Sequence, residues 1–205
     1  MYRGTVIRSF ADDTTRDLFG SVNSKAARRI PNTAWRAAQR KLKQVDLVTK
    51  LDDLKIPPGN DLHALKGAQA GRHAIKVNDQ YRITFDGRGT MPTTSAARTT
   101  TRPASLPRDS PVLGPMIHPG EMLLEEFLRP LGLQQSVVAE ELDISRNRLN
   151  ELILGKRSVT ADTAIRLERR FRMPARFWLH LQADYDLQAA LNEAKATKRR
   201  MKRPA

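Results

Sequence analysis

The chain has 205 residues, and its 36 Lys plus Arg against 22 Asp plus Glu leave a formal charge of +14, which points to polyanionic partners rather than an ordinary near-neutral enzyme. It has no cysteine, which excludes a disulfide framework, thiolate metal sites and a cysteine nucleophile; no other metal site and no cofactor is expected. With 40% hydrophobic residues it can bury real cores, no apolar run approaches the roughly 20 residues that cross a bilayer, and Met1 to Ala11 lacks a signal-peptide apolar segment, so a protein of the bacterial-type cytoplasm with no membrane partner is expected.

The charge is uneven. Residues 1–90 carry a net +8, residues 116–194 a net −2 and residues 195–205 a further +6. Of the thirty residues 86–115, seventeen are Gly, Pro, Thr or Ser without apolar periodicity, a composition that cannot repay its ordering entropy. The predicted layout is an α+β domain over residues 1–90, a linker over 91–115, an all-α domain over 116–194 and a basic tail over 195–205.

Val6 to Phe10 reads as a first strand, and Asp12 to Phe19 as a short helix whose acidic start suits a helix N-terminus. Pro31 opens a longer helix. Ala34, Ala38, Leu42 and Val45 make its inner stripe, while Arg36, Arg40 and Lys43 share its outer face, a basic row open to RNA or simply solvated. Arg72 to Val77 and Tyr81 to Phe85 alternate as strands around Asn78-Asp79-Gln80. A three-residue loop pairs Val77 with Tyr81 and Ile75 with Ile83, whereas a two-residue loop would set Ile75 against Arg82; the first keeps the apolar faces together. That register places Lys76 opposite Arg82, a like-charge pair that either holds an anion such as phosphate or splays into water.

Pro57-Pro58-Gly59-Asn60, Leu62-His63-Ala64-Leu65-Lys66-Gly67, Gly71-Arg72 and the run from Val77 to Phe85 resemble the HigB toxins of the RelE superfamily, over about residues 5–85. The resemblance implies a domain that cuts mRNA on the ribosome by helping a ribose 2′-hydroxyl attack its phosphate. His63, Lys66 and Arg82 match motif positions and form the candidate catalytic set; Arg72 and Lys76 join them as RNA-binding residues through charge and strand geometry. An imidazole can act as acid or base near neutral pH, and Lys and Arg stabilise a developing phosphorane charge.

The family also ends in a last strand and a terminal Asp-Tyr-His. Here the sequence after Phe85 has no strand pattern, and Arg98-Thr99-Thr100-Thr101 stands where that tail is expected. One codon choice for this stretch spells Asp-Tyr-His in the neighbouring frame, so a frameshift that fused two adjacent genes is expected, with a chance Thr-rich linker as the alternative. Reading the coding DNA decides between them. The frameshift leaves an incomplete sheet with Tyr81 to Phe85 as a bare edge, and a ribonuclease activity that is weak or absent.

From Pro119 onward the sequence reads as short helices. Leu123, Leu124, Phe127, Leu128 and Leu131 recur at helical spacing until Pro130 and Gly132 end the run. Gln134 to Leu142 is a short helix with Val138 and Leu142 inward and a small Ala139 where another helix crosses. Asp143-Ile144 turns the chain, and Ser145 caps a second helix that buries Leu149, Leu152 and Ile153 before Gly155 stops it. This is a helix-turn-helix pattern. Its outward residues Arg146, Asn147, Arg148 and Asn150 are the candidate base readers, since Arg bonds guanine and Asn adenine bidentately from the first turns of a helix in the major groove. Ser145, Lys156, Arg157 and Gln135 are placed near the DNA backbone. Thr160 caps a helix with Ile165, Leu167 and Phe171 inward, and Pro174 opens another carrying Phe177, Trp178, Leu181, Tyr185 and Leu191, aromatics that serve the core or in part a dimer face.

Ile117-His118-Pro119-Gly120-Glu121, the Leu133 to Gly155 unit, Thr160 to Ala164 and Phe177 to Leu187 are similar to the HigA antitoxins, Cro/cI-type helix-turn-helix proteins, over nearly all of residues 116–192. The resemblance implies a homodimer, formed through the C-terminal domain, that binds operator DNA and a cognate toxin. The leading expectation is a toxin-antitoxin fusion acting as a transcriptional repressor. The alternatives are an mRNA endoribonuclease restrained by its fused antitoxin, and an immunity protein that sequesters a separate toxin.

Overall fold

The computed structural model describes Ile7, residues 9–86, the backbone of 90–95, and residues 114–201, of which 199–201 as backbone only. Helix α1 spans Asp13–Phe19. Its cap, Asp12, accepts the Thr15 backbone N–H at 2.7 Å and so satisfies one of the donors a helix start leaves open. Helix α2 spans Asn32–Leu47 directly after Pro31, and Ala34, Ala38, Leu42 and Val45 are all buried, the inner stripe that the periodicity requires. The expected first strand at Val6 to Phe10 falls largely outside the described residues; Ile7 donates its N–H to the Asp46 carboxylate on α2.

A four-stranded antiparallel sheet, in the order β1-β2-β3-β4, lies against these helices: β1 is His63–Ala64, β2 Arg72–Lys76, β3 Arg82–Asp86 and β4 Thr90–Ser95. The β2–β3 register sets Ile75 opposite Ile83 and Lys76 opposite Arg82, as the three-residue loop demands. Val77 donates to the Tyr81 carbonyl at 2.9 Å, and the Asn78 side chain accepts from Gln80 and Tyr81, closing the loop. One face of the sheet, with Ile75, Ile83 and Phe85, joins the helical core.

The backbone of β4 corrects one expectation. It pairs along the whole of β3, with Arg82 opposite Ser95 and Ile83 opposite Thr94, so the edge predicted to be bare is covered. Ladder bonds are made by any backbone, and a Thr-rich segment with no apolar alternation gives no pattern signal. The sheet therefore reaches past the predicted start of the linker at residue 91. The Arg98 to Thr101 stretch lies outside the described residues.

The C-terminal half is all helical. Helix α3, Pro119–Leu123, continues into a widened turn over Leu124–Leu128, where Arg129 bonds back five residues to Leu124 at 2.9 Å. Helices α4 (Gln135–Glu141), α5 (Arg146–Ile153), α6 (Ala161–Phe171) and α7 (Ala175–Met201) follow. Phe127 lies 5.3 Å from the Phe171 ring and 5.4 Å from that of Trp178, itself fully buried with Phe177 beside it, so these aromatics are interior. One expected inward residue faces out: Ile165 is 46% exposed, because the buried line of α6 runs through Thr163, Ala164, Leu167 and Phe171. Among the described residues no helix is long and apolar enough to cross a membrane, and no cluster of His, Asp or Glu could hold a metal.

Two glycines fix close approaches. A Cβ on Gly120 would sit 1.8 Å from the Leu152 carbonyl oxygen, so α3 crosses the end of α5 only because residue 120 has no side chain, and a Cβ on Gly114 would meet the Phe19 ring at 2.5 Å. Gly120→Ala forces two backbones apart and is expected to cost at least about 1–3 kcal/mol, the usual range for overpacking, read as a fall in melting temperature; an unchanged melt would show that α3 can shift freely.

Candidate nucleic-acid interface

Helix α5 is presented by local signals the sequence spells out. The Ser145 hydroxyl accepts the Arg148 N–H at 3.2 Å, Asp143 takes a left-handed φ of 51° in the turn, and Leu149, Leu152 and Ile153 anchor the inner face. Arg146, Asn147 and Asn150 are exposed in the first two turns, and the side chains of Arg146 and Asn150 make no hydrogen bond or ion pair with any described residue. Arg146 and Asn150 are four residues apart and therefore share a face. Asn147 is only weakly engaged, 3.5 Å from Glu151. Lys156 and Arg157 are exposed just beyond, Arg157 bonded to Glu151 at 2.8 Å, and Gln135 is half-buried at the start of α4.

Arg148 is a correction. It turns inward, donating to the Thr163 hydroxyl at 2.9 Å and approaching Asp162 at 3.4 Å, so in this structure it ties α5 to the start of α6 and does not stand free as Arg146 does. Arg146 and Arg148 look alike in sequence, because two positions on a helix of eight residues cannot be assigned to different neighbours until α6 is placed. Arg166, which sequence reasoning missed, braces the turn: it donates to the Leu142 and Asp143 carbonyls at 3.0 and 3.1 Å and to the Asp143 carboxylate at 2.9 Å.

On the sheet, strand register puts His63, Arg72, Lys76 and Arg82 on the face opposite the helical core. His63 and Arg82 are exposed, and Lys66 lies exposed just after β1. The His63 Nδ1 is 2.8 Å from the Asp61 carbonyl, which can only accept, so Nδ1 carries a proton and Nε2 is left as the basic nitrogen. Lys76 pairs with the exposed Asp79 at 2.7 Å, which answers the like-charge contact with Arg82 from within the loop. Hydrogen bonding and charge from Lys76 hold the Asp79 carboxyl below its ordinary range.

The basic row on α2 does not face RNA. Arg36 pairs with Glu121 and donates to the Met116 carbonyl; Arg40 bonds Glu126 at 2.8 Å and approaches Glu121 at 3.3 Å; Lys43, 1% exposed, bonds Asp184 of α7 at 2.6 Å. Lys41 pairs with Glu126 and also donates to Asn60 at 2.6 Å. The expected outer face is thus the seam between the two halves, whose buried residues form one continuous core.

Two domain families account for this architecture. Residues 8–91 match the RelE-like toxin of the type II toxin-antitoxin system HigB, and residues 124–178 match a helix-turn-helix family. The chain is 49% identical over 76 residues to virulence-associated protein I of Dichelobacter nodosus, which covers 37% of this chain and 70% of that protein. Two separate proteins of Vibrio cholerae each resemble about a third of it: antitoxin HigA-1, 40% identical over 68 residues (33% of this chain, 64% of that protein), and toxin HigB-1, 41% identical over 63 residues (31% and 66%). The chain joins a HigB-like toxin domain at its N-terminal end to a helix-turn-helix domain at its C-terminal end.

The seam between the HigB-like and HigA-type halves has a defined electrostatics. Burial pushes the Glu126 carboxyl up, but Lys41 and Arg40 more than offset this and hold it below its ordinary value, while burial pulls the Lys41 amine down against the attraction of Glu126. His118 is buried; its Nδ1 accepts the Gly120 N–H at 3.0 Å and its ring meets Tyr185 edge-on at 4.9 Å. Burial lowers its pKa against the pull of Asp186 and Glu121.

A group held below its ordinary pKa in the folded state contributes stability above that value and loses it as pH falls. Stability is therefore expected to drop first below pH ~6.5, the ordinary imidazole value, through His118, and again below ~4.3, the ordinary Glu value, through Glu126. Glu126→Gln removes one partner of a buried cluster and is expected to cost about 3–5 kcal/mol and to flatten the lower limb. Equal denaturation midpoints for the variant and the parent across pH 3–8 would contradict this.

Proposed function

We propose that this chain is a transcriptional regulator of the bacterial cytoplasm that binds operator DNA as a homodimer through α5, with a HigB-like half that lacks effective ribonuclease activity. The observation that carries the reading is the unengaged Arg146 and Asn150 on one face of a capped, braced recognition helix. Ser145 and the exposed Lys156 and Arg157 at the two ends of α5, with Gln135 on α4, are the backbone contacts. Dimerisation suits a two-fold operator, and the exposed Leu187 and Leu191, one turn apart on α7, offer an apolar contact for it. The HigB-like half lacks the terminal Asp-Tyr-His that the family resemblance calls for.

A second reading, RNA cleavage, is favoured by one observation: His63, Lys66 and Arg82 are exposed. Expression of the full chain without growth arrest supports the regulator, whereas arrest that His63→Ala abolishes supports the enzyme. In a gel shift with DNA from upstream of the coding sequence, Arg146→Ala and Asn150→Ala are each expected to weaken specific binding by about 1–3 kcal/mol while leaving non-specific binding unchanged. Arg148→Ala should instead lower thermal stability. Unchanged affinity in both reader variants would overturn the assignment of α5.

A further inference from the structure

Four acidic groups of the HigA-type half gather against one helix of the other half. Glu121, Glu125 and Glu126 lie within six residues at α3 and its widened turn, and Asp184 faces the same helix α2 from α7. Helix α2 meets them with Arg36, Arg40 and Lys43 along one face and with Lys41 from its flank. Two of the contacts are shielded from water: the side chains of Lys41 and Glu126 are 5% and 4% exposed, and those of Lys43 and Asp184 are 2% and 12% exposed. The HigB-like half also pre-positions its amine. Asn60 accepts from Lys41 while donating its own amide to Gln44 at 2.9 Å and to the Leu54 carbonyl at 2.8 Å, and Gln44 reaches the Met122 sulfur at 3.4 Å across the seam. Buried charges so closely matched are a docking surface, since either side left alone would hold uncompensated ions.

We infer that this acidic face takes one occupant, the chain's own α2, and that it is closed to any other protein presenting the same basic helix face, a second copy of this chain included. A tethered partner competes at an effective concentration on the order of millimolar. A free competitor at about micromolar would need roughly a thousandfold tighter intrinsic binding to displace it. Arg146 and Asn150 lie outside the seam, so the inference stands whether or not α5 binds DNA. It separates this chain from an immunity protein that captures toxin in trans.

Because the chain has no native cysteine, the seam can be read directly by a short bismaleimide. Arg36→Cys and Glu121→Cys replace its most exposed pair, which keeps the buried contacts intact. The full chain carrying both is expected to crosslink within itself, and an equimolar mixture of the two single variants at micromolar concentration is expected to give no crosslinked dimer. Adding Lys41→Glu and Lys43→Glu to the Glu121→Cys chain frees its acidic face, adding Glu126→Lys and Asp184→Lys to the Arg36→Cys chain frees its α2, and dimers between these two chains should then form. Dimers from the simple mixture, in a yield near that of the internal crosslink, would overturn the inference, as would absence of the internal crosslink. If either charge-reversed chain does not fold, these first two comparisons decide the matter.

Discussion

The structure depends on a buried meeting of opposite charges. Glu126 sits on a turn widened by one residue, and from there it reaches both Arg40 and Lys41 of a helix some 85 positions earlier. Desolvating these ions is costly, and only their mutual contacts, with Asn60 accepting a further hydrogen bond from the Lys41 amine, make the arrangement stable. That requirement joins two domains whose families occur as separate proteins into one continuous core. Gly114 against Phe19 and Gly120 against Leu152 are positions where only the smallest residue permits the packing around this seam.

The reading helix is supported from the other side. Arg148, Arg166 and Arg170 connect α5, the preceding turn and α4 to α6, so the acidic residues Asp143, Asp162 and Glu141 are consumed in bracing. What remains outward on α5 is Arg146, Asn147 and Asn150. Seven carboxylates of residues 116–194 thus serve two uses, Glu121, Glu125, Glu126 and Asp184 pairing with α2 and Glu141, Asp143 and Asp162 fixing the orientation of α5. The basic excess of the chain is likewise not a single nucleic-acid surface, because part of it is neutralised internally along α2.

The helix-turn-helix was legible because its determinants are local. Ser145, the Asp143 turn, Gly155 and the Leu149, Leu152, Ile153 spacing act within a few residues, and so does the loop that sets the β2–β3 register. Contacts made across the chain were not legible. A row such as Arg36, Arg40, Lys43 looks the same in sequence whether water, RNA or a carboxylate lies opposite, and Glu126 and Asp184 become its partners only once two distant helices are placed. Arg148 was misread for the same reason, its partner Thr163 lying fifteen residues on. Strand β4 escaped notice because its pairing rests on backbone, with no apolar alternation to announce it.

The fold requires the two halves to be docked through α2 in the free chain. Spin labels at Lys25→Cys in the HigB-like half and Arg169→Cys in the HigA-type half, both exposed and away from the seam, measure this by electron double resonance. A single narrow distance distribution at neutral pH that broadens when Glu126→Lys is added is the predicted result. A broad distribution before that substitution, unchanged after it, would show that the halves are not joined by these charges.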